Sequence, residues 1–173
     1  MPTLVLGGCF LSPKKGNGGG PLPPPIYMIP SRPEFALHNL AEAYNHKDST
    51  AYKGVFDDTY QASYLDQKDP SPQLVTYYKD DEARHIAFLA KSNANVDMRL
   101  SATLTPYQDL GDPPGWMTIQ VPFQSIAVST IDSSFVVNMT QDYLEMRFIP
   151  HTPDASSPTD TSWKVIKLTE VRR

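Results

Sequence analysis

The spacing of apolar residues changes along this chain from a helical repeat to a strand-like repeat, and that change constrains the fold more than any other feature. The early stripe follows one helix face, at Leu37, Leu40, Ala41 and Tyr44. From residue 96 onward, apolar and polar residues alternate instead, most regularly over residues 96–104. Because helices that precede a run of strands pack as a layer against one sheet, the sequence predicts an α+β domain.

Three helices are expected in the first half of this domain. The first begins at Ser31, which together with Glu34 has the pattern of a capping box. The second is short and follows Asp48, and the third covers about residues 80–91. An alternating segment around Tyr60 and Tyr64 separates the second helix from the third. With four later strands, the predicted order is α-α-β-α-β-β-β-β.

Two of the later strands change their apolar phase partway along. In residues 117–128 the change falls next to Pro122, and in residues 137–148 it falls at 140–143. An extra residue of this kind forms a bulge, which bends a strand. The last strand begins at Trp163. The sequence therefore predicts a strongly curved antiparallel sheet that wraps around the helices.

The first thirty residues differ in composition from the predicted domain. Residues 12–30 contain six prolines and four glycines, a composition that makes a linker and cannot bury a core. We expect three regions: a truncated signal segment over residues 1–9, a disordered tether over residues 10–30, and the folded domain over residues 31–173.

A short motif near the N-terminus, Leu6-Gly7-Gly8-Cys9, resembles a bacterial lipobox. In a lipobox, an apolar residue and two small residues precede a cysteine that receives lipid. The resemblance implies lipidation of Cys9 and a place at the bacterial cell envelope. Only three apolar residues lead up to Gly7, without Lys or Arg, whereas a secretory signal has about 7–15. Two explanations stay open. A longer signal begins upstream of Met1, or the match is accidental and the segment is a disordered arm of a cytoplasmic protein.

Charge, cysteine and histidine content exclude several classes of function. The net charge is −4, and the 15 Lys and Arg residues do not form the basic stripe that nucleic-acid binding needs. The single cysteine excludes an internal disulfide, and the four histidines lack metal-ligand spacing, so we expect neither a metal nor a cofactor. No apolar run reaches 18 residues, so we expect membrane contact only through the lipid anchor.

Three stretches share a pattern of order and spacing with one known superfamily. Residues 37–58 contain the first two helices and end in Asp57 and Asp58, residues 78–83 begin the third helix, and residues 163–168 form the closing strand. Together they resemble the NTF2-like superfamily, which has the shape of SnoaL and ketosteroid isomerase. The resemblance covers residues 33–171 and implies a cone whose open end often forms a pocket. Its members include isomerases, cyclases, dehydratases, transport factors and lipoproteins, so the fold does not choose the function.

Three tyrosines are candidates for the wall of such a pocket. The resemblance implies a tyrosine on the first helix and carboxylates along the strands of the enzymes, and Tyr44 fits the first place. Asp58 or Asp66 lies near the first strand. Tyr60 and Tyr64 share one strand face, where they either wall an aromatic pocket or pack as ordinary sheet residues.

The later strands do not complete a catalytic set. One phase of the strand that follows residue 95 is apolar, whereas the other carries Asp97 and Arg99, so the cavity lining depends on which face is inward. We therefore predict a non-catalytic, envelope-tethered domain that binds a small apolar ligand or a protein partner. Two alternatives stay open: a cavity enzyme of the isomerase, cyclase or dehydratase type, and a scaffold that forms a homodimer through the outer face of its sheet.

Overall fold

A computed structural model describes residues 23–67, 69–130, 134–136, 143–151 and 162–172. Cys9 and residues 10–22 of the predicted tether lie outside these residues, as do residues 140–142 of the phase change predicted at 140–143. Within the described part of the chain, no helix is both long and apolar enough to span a membrane.

Among the residues that the structure describes, three helices form in the predicted places. They are α1 Pro33–Asn45, α2 Ser49–Val55 and α3 Lys79–Lys91. The apolar stripe predicted for α1 is confirmed, since all four of its residues are buried. The capping box predicted for Ser31 and Glu34 does not form. The N-cap residue of α1 is Arg32, so Ser31 lies one position too early to cap the helix.

The described residues contain eight strands, which form one sheet of five strands and one of three. The strands are β1 Phe56–Asp66, β2 Leu74–Tyr78, β3 Asn95–Leu100, β4 Met117–Gln120, β5 Phe123–Ser129, β6 Ser134–Val136, β7 Tyr143–His151 and β8 Ser162–Arg172. The larger sheet has the order β2-β1-β8-β7-β4, and the smaller has the order β3-β5-β6. Strands β1 and β8 pair in parallel, and the other pairs are antiparallel.

The strand order contains elements that the sequence did not indicate. Strand β2 lies between β1 and α3, and four of its five residues are apolar or aromatic, so its sequence lacks the alternation that marks a strand. It forms because it pairs with β1 at the edge of the sheet. The strand predicted over residues 96–104 ends at Leu100. The α+β class with three helices and a curved, mainly antiparallel sheet is confirmed.

The phase change next to Pro122 is a break between two strands. Val121 has a φ of 48°, in the left-handed region that β-branched residues rarely adopt. The chain therefore turns sharply there, and it passes from β4 in the larger sheet to β5 in the smaller one. A register shift between Arg147 and Phe148 adds to the curvature of the larger sheet.

One face of the larger sheet belongs to the core. Ala62, Leu168, Met146 and Ile119 are successive partners across four strands, and three of them are buried. Helix α1 packs against β3 and β8, and α3 packs against β1 and β2, so the helices cover this face. The core is continuous between helices and sheets, and Tyr60 and Phe148 are among its fully buried side chains.

Two asparagines of α1 hold neighbouring backbone by the same device. The Asn45 side chain donates to the Met98 carbonyl at 3.0 Å and accepts from the Met98 N–H at 2.6 Å. The Asn39 side chain forms the same pair of bonds with Met28, both at 2.7 Å. Each side-chain amide therefore forms the pair of hydrogen bonds that a neighbouring strand would form. Asn45 fixes β3 on one side of α1, and Asn39 fixes the chain before α1 on the other.

Candidate functional site

Residues 23–31, here called the N-terminal segment, lie along α1 and run antiparallel to it. Met28 pairs with Asn39, and the Ile26 N–H donates to the Glu42 carboxylate at 3.4 Å. Near the end of α1, the His46 ring contacts the Pro23 carbonyl oxygen at 2.6 Å. These residues belong to the last part of the predicted tether, and in the structure they have regular contacts with the domain.

The His46 ring contacts two carbonyl oxygens, one at each nitrogen. Its Nε2 lies 2.6 Å from the Pro23 oxygen, and its Nδ1 lies 2.9 Å from the Glu42 backbone oxygen. Because a carbonyl oxygen only accepts, both nitrogens must donate, and this requires the protonated ring. Burial lowers the pKa of His46, but the two carbonyls and the carboxylates of Glu42 and Asp48 outweigh it, so the pKa is raised above its ordinary value.

Tyr27 is fixed at the other side of the segment. Its hydroxyl donates to the Asp48 carboxylate at 3.1 Å, and Asp48 also caps α2 through the N–H groups of Thr50 and Ala51. Burial and this hydrogen bond to a carboxylate raise the pKa of Tyr27 to about 12. The Tyr27 ring is therefore held in one place, next to the start of α2.

A pocket of about 220 Å³ lies between the N-terminal segment, α1, α2 and the start of β8. Most of its walls are apolar. The lining residues are Tyr27, Pro30, Ala36, Asn39, Ala51, Gly54, Val55, Trp163 and Lys164. The segment is joined to β8 at this point, where the Trp163 N–H donates to the Pro30 carbonyl at 2.7 Å. Gly54 is exposed, and a Cβ added there would meet no atom within 4 Å, so this part of the wall has room for a larger side chain.

Lys164 brings a cation to the pocket. Its amine donates to the Gly54 carbonyl. Burial and the neighbouring Lys79 lower the pKa of Lys164, whereas Asp57 and Asp58 act in the opposite direction. The pocket therefore has apolar walls and one half-buried amine.

A second group of polar residues lies between α3 and β1. The Tyr60 hydroxyl, on a side chain that is 1% exposed, donates to the Glu82 carboxylate at 3.0 Å. Burial of that carboxyl group raises the pKa of Glu82 to about 7, although the Tyr60 and Tyr52 hydroxyls lower it. One turn further along α3, burial lowers the pKa of His85. Neither Glu82 nor Tyr60 lines the pocket.

The structure separates the three tyrosines that the sequence places at a pocket. Tyr44 and Tyr60 belong to a row of aromatic rings that also contains Tyr52 and Phe56, with neighbouring centroids 4.2 to 5.9 Å apart. Tyr64 lies outside this row, and its hydroxyl donates to Asp66 at 3.1 Å. None of the three lines the pocket under the N-terminal segment.

The charged candidates near the first strands have partners on the surface. Asp58 pairs with Lys79 at 2.6 Å, and Arg99 pairs with Asp97 at 2.8 Å. No group of three or more potential metal ligands exists among the residues that the structure describes.

The pocket residues were missed because they are far apart in sequence. Tyr27 lies in a proline-rich stretch, and Trp163 and Lys164 carry only the pattern of a strand. Glu82 has the position of an ordinary acidic residue in the first turn of a helix. The dense prolines before α1 are the one available signal, since they indicate an extended segment that is stiff enough to lie along a surface.

No protein-family model matches this sequence, and no curated protein matches it significantly. Similarity appears in three dimensions, at low sequence identity. An NTF2-like protein from Rhodospirillum rubrum, described as of unknown function in nutrient uptake, is 12% identical with a TM-score of 0.53; the match covers 80% of this chain and 96% of that one.

Two further solved structures are similar to the same extent. ActVI-ORFA from Streptomyces coelicolor is 8% identical with a TM-score of 0.53, over 79% of this chain and 91% of that one. A conserved protein from Planctomyces limnophilus is 8% identical with a TM-score of 0.51, over 79% and 89%. At such identities the similarity shows the fold alone, and the predicted NTF2-like fold is confirmed.

Proposed function

We propose that this NTF2-like domain is a non-catalytic binding domain that takes a small apolar molecule in the pocket under its N-terminal segment. We propose further that lipid on Cys9 holds it at the bacterial cell envelope. The observation that supports ligand binding is the pocket itself. Its mainly apolar walls come from α1, α2 and β8, and Tyr27 and Pro30 close it on one side.

The volume of the pocket limits the ligand. Drug-sized ligands occupy pockets of about 300–1,000 Å³, and this pocket measures about 220 Å³. A molecule with one ring and a short substituent fits that space, and the rings of Tyr27 and Trp163 offer it aromatic surface.

The expected affinity follows from the apolar area that such a ligand buries. One aromatic ring with its substituent buries about 150–250 Å², which at about 25 cal/mol per Å² is worth about 4–6 kcal/mol. Lost translational and rotational freedom offsets part of this gain. A net gain of about 4 kcal/mol corresponds to a Kd of about 1 mM, so after this cost we expect dissociation constants in the millimolar range or weaker.

A screen of single-ring compounds, read by ligand-detected NMR and by tryptophan fluorescence, tests the proposal. In a Trp116→Phe background, Trp163 is the only tryptophan, so its emission reports on the pocket. Gly54→Leu adds a large side chain at the pocket wall, where there is room for it, and is expected to abolish binding without unfolding the chain. Gly111→Leu is the matched control, because Gly111 also has open space around it and does not line the pocket. Compounds that bind both variants equally would show that the pocket is not their site.

A cavity enzyme is the second candidate, and the Tyr60–Glu82 pair favours it. A carboxyl group with a pKa of about 7 beside a tyrosine hydroxyl is suited to general acid–base chemistry. The same screen separates the two candidates. Ligands that shift the NMR signals of Tyr60 and Glu82, and leave those of Trp163 unchanged, would favour the enzyme.

The anchoring part has its own test. Expression with a full-length signal, followed by palmitate labelling, is expected to give a labelled protein, and Cys9→Ala is expected to lose the label. Undiminished labelling of the variant would contradict lipidation at Cys9.

A further inference from the structure

We infer that the ligand of this pocket is a small carboxylic acid with an apolar, preferably aromatic, body, whose carboxylate pairs with the amine of Lys164. The inference rests on the proposed binding function and adds the chemical class of the ligand. It is carried by the position of one cation in an otherwise neutral and mainly apolar lining.

Lys164 is half-buried, and its amine has no carboxylate partner within 4 Å among the described residues. Its hydrogen-bond acceptor is the neutral carbonyl oxygen of Gly54. A buried cation is normally paired, because burial removes the water that would otherwise solvate its charge. An anion that enters the pocket supplies the missing charge.

The nearby carboxylates are engaged elsewhere. Asp58 pairs with Lys79 at 2.6 Å. Asp57 accepts hydrogen bonds from the N–H and the hydroxyl of Thr59, at 2.9 and 2.7 Å. Lys79 itself lies near enough to Lys164 to repel it. Asp57 and Asp58 favour the charged form of Lys164 from a distance, but neither forms an ion pair with its amine.

Two other polar side chains of the lining have partners outside the pocket. Both side-chain atoms of Asn39 bond to Met28, and the Tyr27 hydroxyl bonds to Asp48. Of the lining residues, all of which the structure describes, Lys164 alone carries a charge. This arrangement suits one acid group on an apolar body. A phosphate dianion would need several charged donors, and this lining has one cation.

A matched pair of probes tests the ligand class: phenylacetate, and phenylacetamide, which has nearly the same shape but no charge. We expect wild-type protein to bind phenylacetate about three- to tenfold more tightly, the range for a charged hydrogen bond that is partly open to solvent. Lys164→Met is expected to remove this preference while it keeps the affinity for phenylacetamide. Lys167→Met, on the same strand and outside the lining, is the matched control and keeps the preference. Lys164→Arg retains the charge and is expected to retain it too.

The possible results separate the inference from the proposed function. If both probes bind wild type equally, or if Lys164→Met leaves the preference intact, the ligand class is wrong while the binding function stands. If neither probe binds, and Gly54→Leu leaves the spectrum of the N-terminal residues unchanged, the binding function fails and the inference with it. If Gly54→Leu releases residues 1–22 as new sharp amide signals, the chain itself fills the pocket, and both are overturned. A melting temperature for each variant confirms that it is folded.

Discussion

Raising the pH above the pKa of His46 is expected to loosen the N-terminal segment, because only a protonated ring donates to both Pro23 and Glu42. The pKa of His46 is raised in the folded chain. Its contribution is therefore complete below the ordinary value of about 6.5, and it is lost as the pH rises through the folded value. Glu42 and Asp48 are the carboxylates that face the ring.

The size of the effect follows from the bonds that are lost. A hydrogen bond from a charged donor is worth about 1.5–3 kcal/mol when it is buried, and less where water competes. The His46 side chain is 16% exposed and the Pro23 carbonyl belongs to an exposed residue, so we take about 1 kcal/mol for the bond that deprotonation breaks. The equilibrium constant for release of the segment then rises about fivefold.

Hydrogen exchange at two amides measures that release. The Met28 N–H donates to Asn39, and the Trp163 N–H donates to the Pro30 carbonyl, so both are protected only while the segment is docked. Protection factors, rather than raw rates, are compared at about pH 5.5 and about pH 8.5, on either side of the ordinary histidine value. We expect protection of both amides to fall about fivefold at the higher pH.

Two variants decide whether His46 is the cause. His46→Gln carries no titratable ring, so its protection factors are expected not to change with pH. His151→Gln, at an exposed position on β7, keeps the wild-type dependence. Protection that does not change in wild type, or that changes equally in His46→Gln, would refute the reasoning.

Two further predictions concern the interior. Burial raises the pKa of Glu82 to about 7, so the free energy of unfolding decreases as the pH rises from the ordinary carboxyl pKa through 7. This decrease is at most about 3 kcal/mol, and Glu82→Gln is expected to remove most of it. Urea unfolding at pH 5 and pH 8 measures the difference. Equal pH dependence in variant and wild type would contradict it. Leu40→Ala, at a position 1% exposed, is expected to cost about 2–5 kcal/mol. The fully exposed Leu110→Ala is expected to change stability by less than about 0.5 kcal/mol, and similar losses in the two would contradict the packing described for α1.

The sequence predicted those elements whose packing leaves a periodic trace. The α1 stripe and the alternation of Val96 and Met98 are local patterns, and both sets of residues are buried. Strand β2 leaves no such trace. Leu74 and Tyr78, at its two ends, are exposed, so the strand has no buried face that a periodic pattern could mark. It exists through its pairing with β1. The break at Val121 appeared only as a phase change, because the sequence does not show which sheet each half joins.

The pocket could not be predicted from local sequence patterns, for a related reason. Its walls come from Tyr27, α1, α2 and Trp163, and these meet only after the segment has docked on the folded domain. The proline content predicts that residues 21–30 are extended, but it does not say where they lie. Their position depends on Asn39 and His46, whose roles cannot be recognised until their partners are known.

Because Tyr27 and Pro30 wall the pocket, ligand binding and docking of the segment are linked. A ligand that needs both walls binds only the docked form, so it stabilises docking by RT ln(1 + [L]/Kd), and at a concentration ten times Kd the release constant falls about elevenfold. Linkage is reciprocal, so the loss of the His46 proton must lower the affinity for the ligand. The affinity falls only to the extent that the form with the N-terminal segment released is populated. If release of the segment is rare, a fivefold increase in its equilibrium constant leaves the ligand affinity almost unchanged. Hydrogen exchange at the Met28 amide still reports that increase. A saturating ligand that leaves protection at Met28 unchanged would show that the segment is not a wall of the binding site.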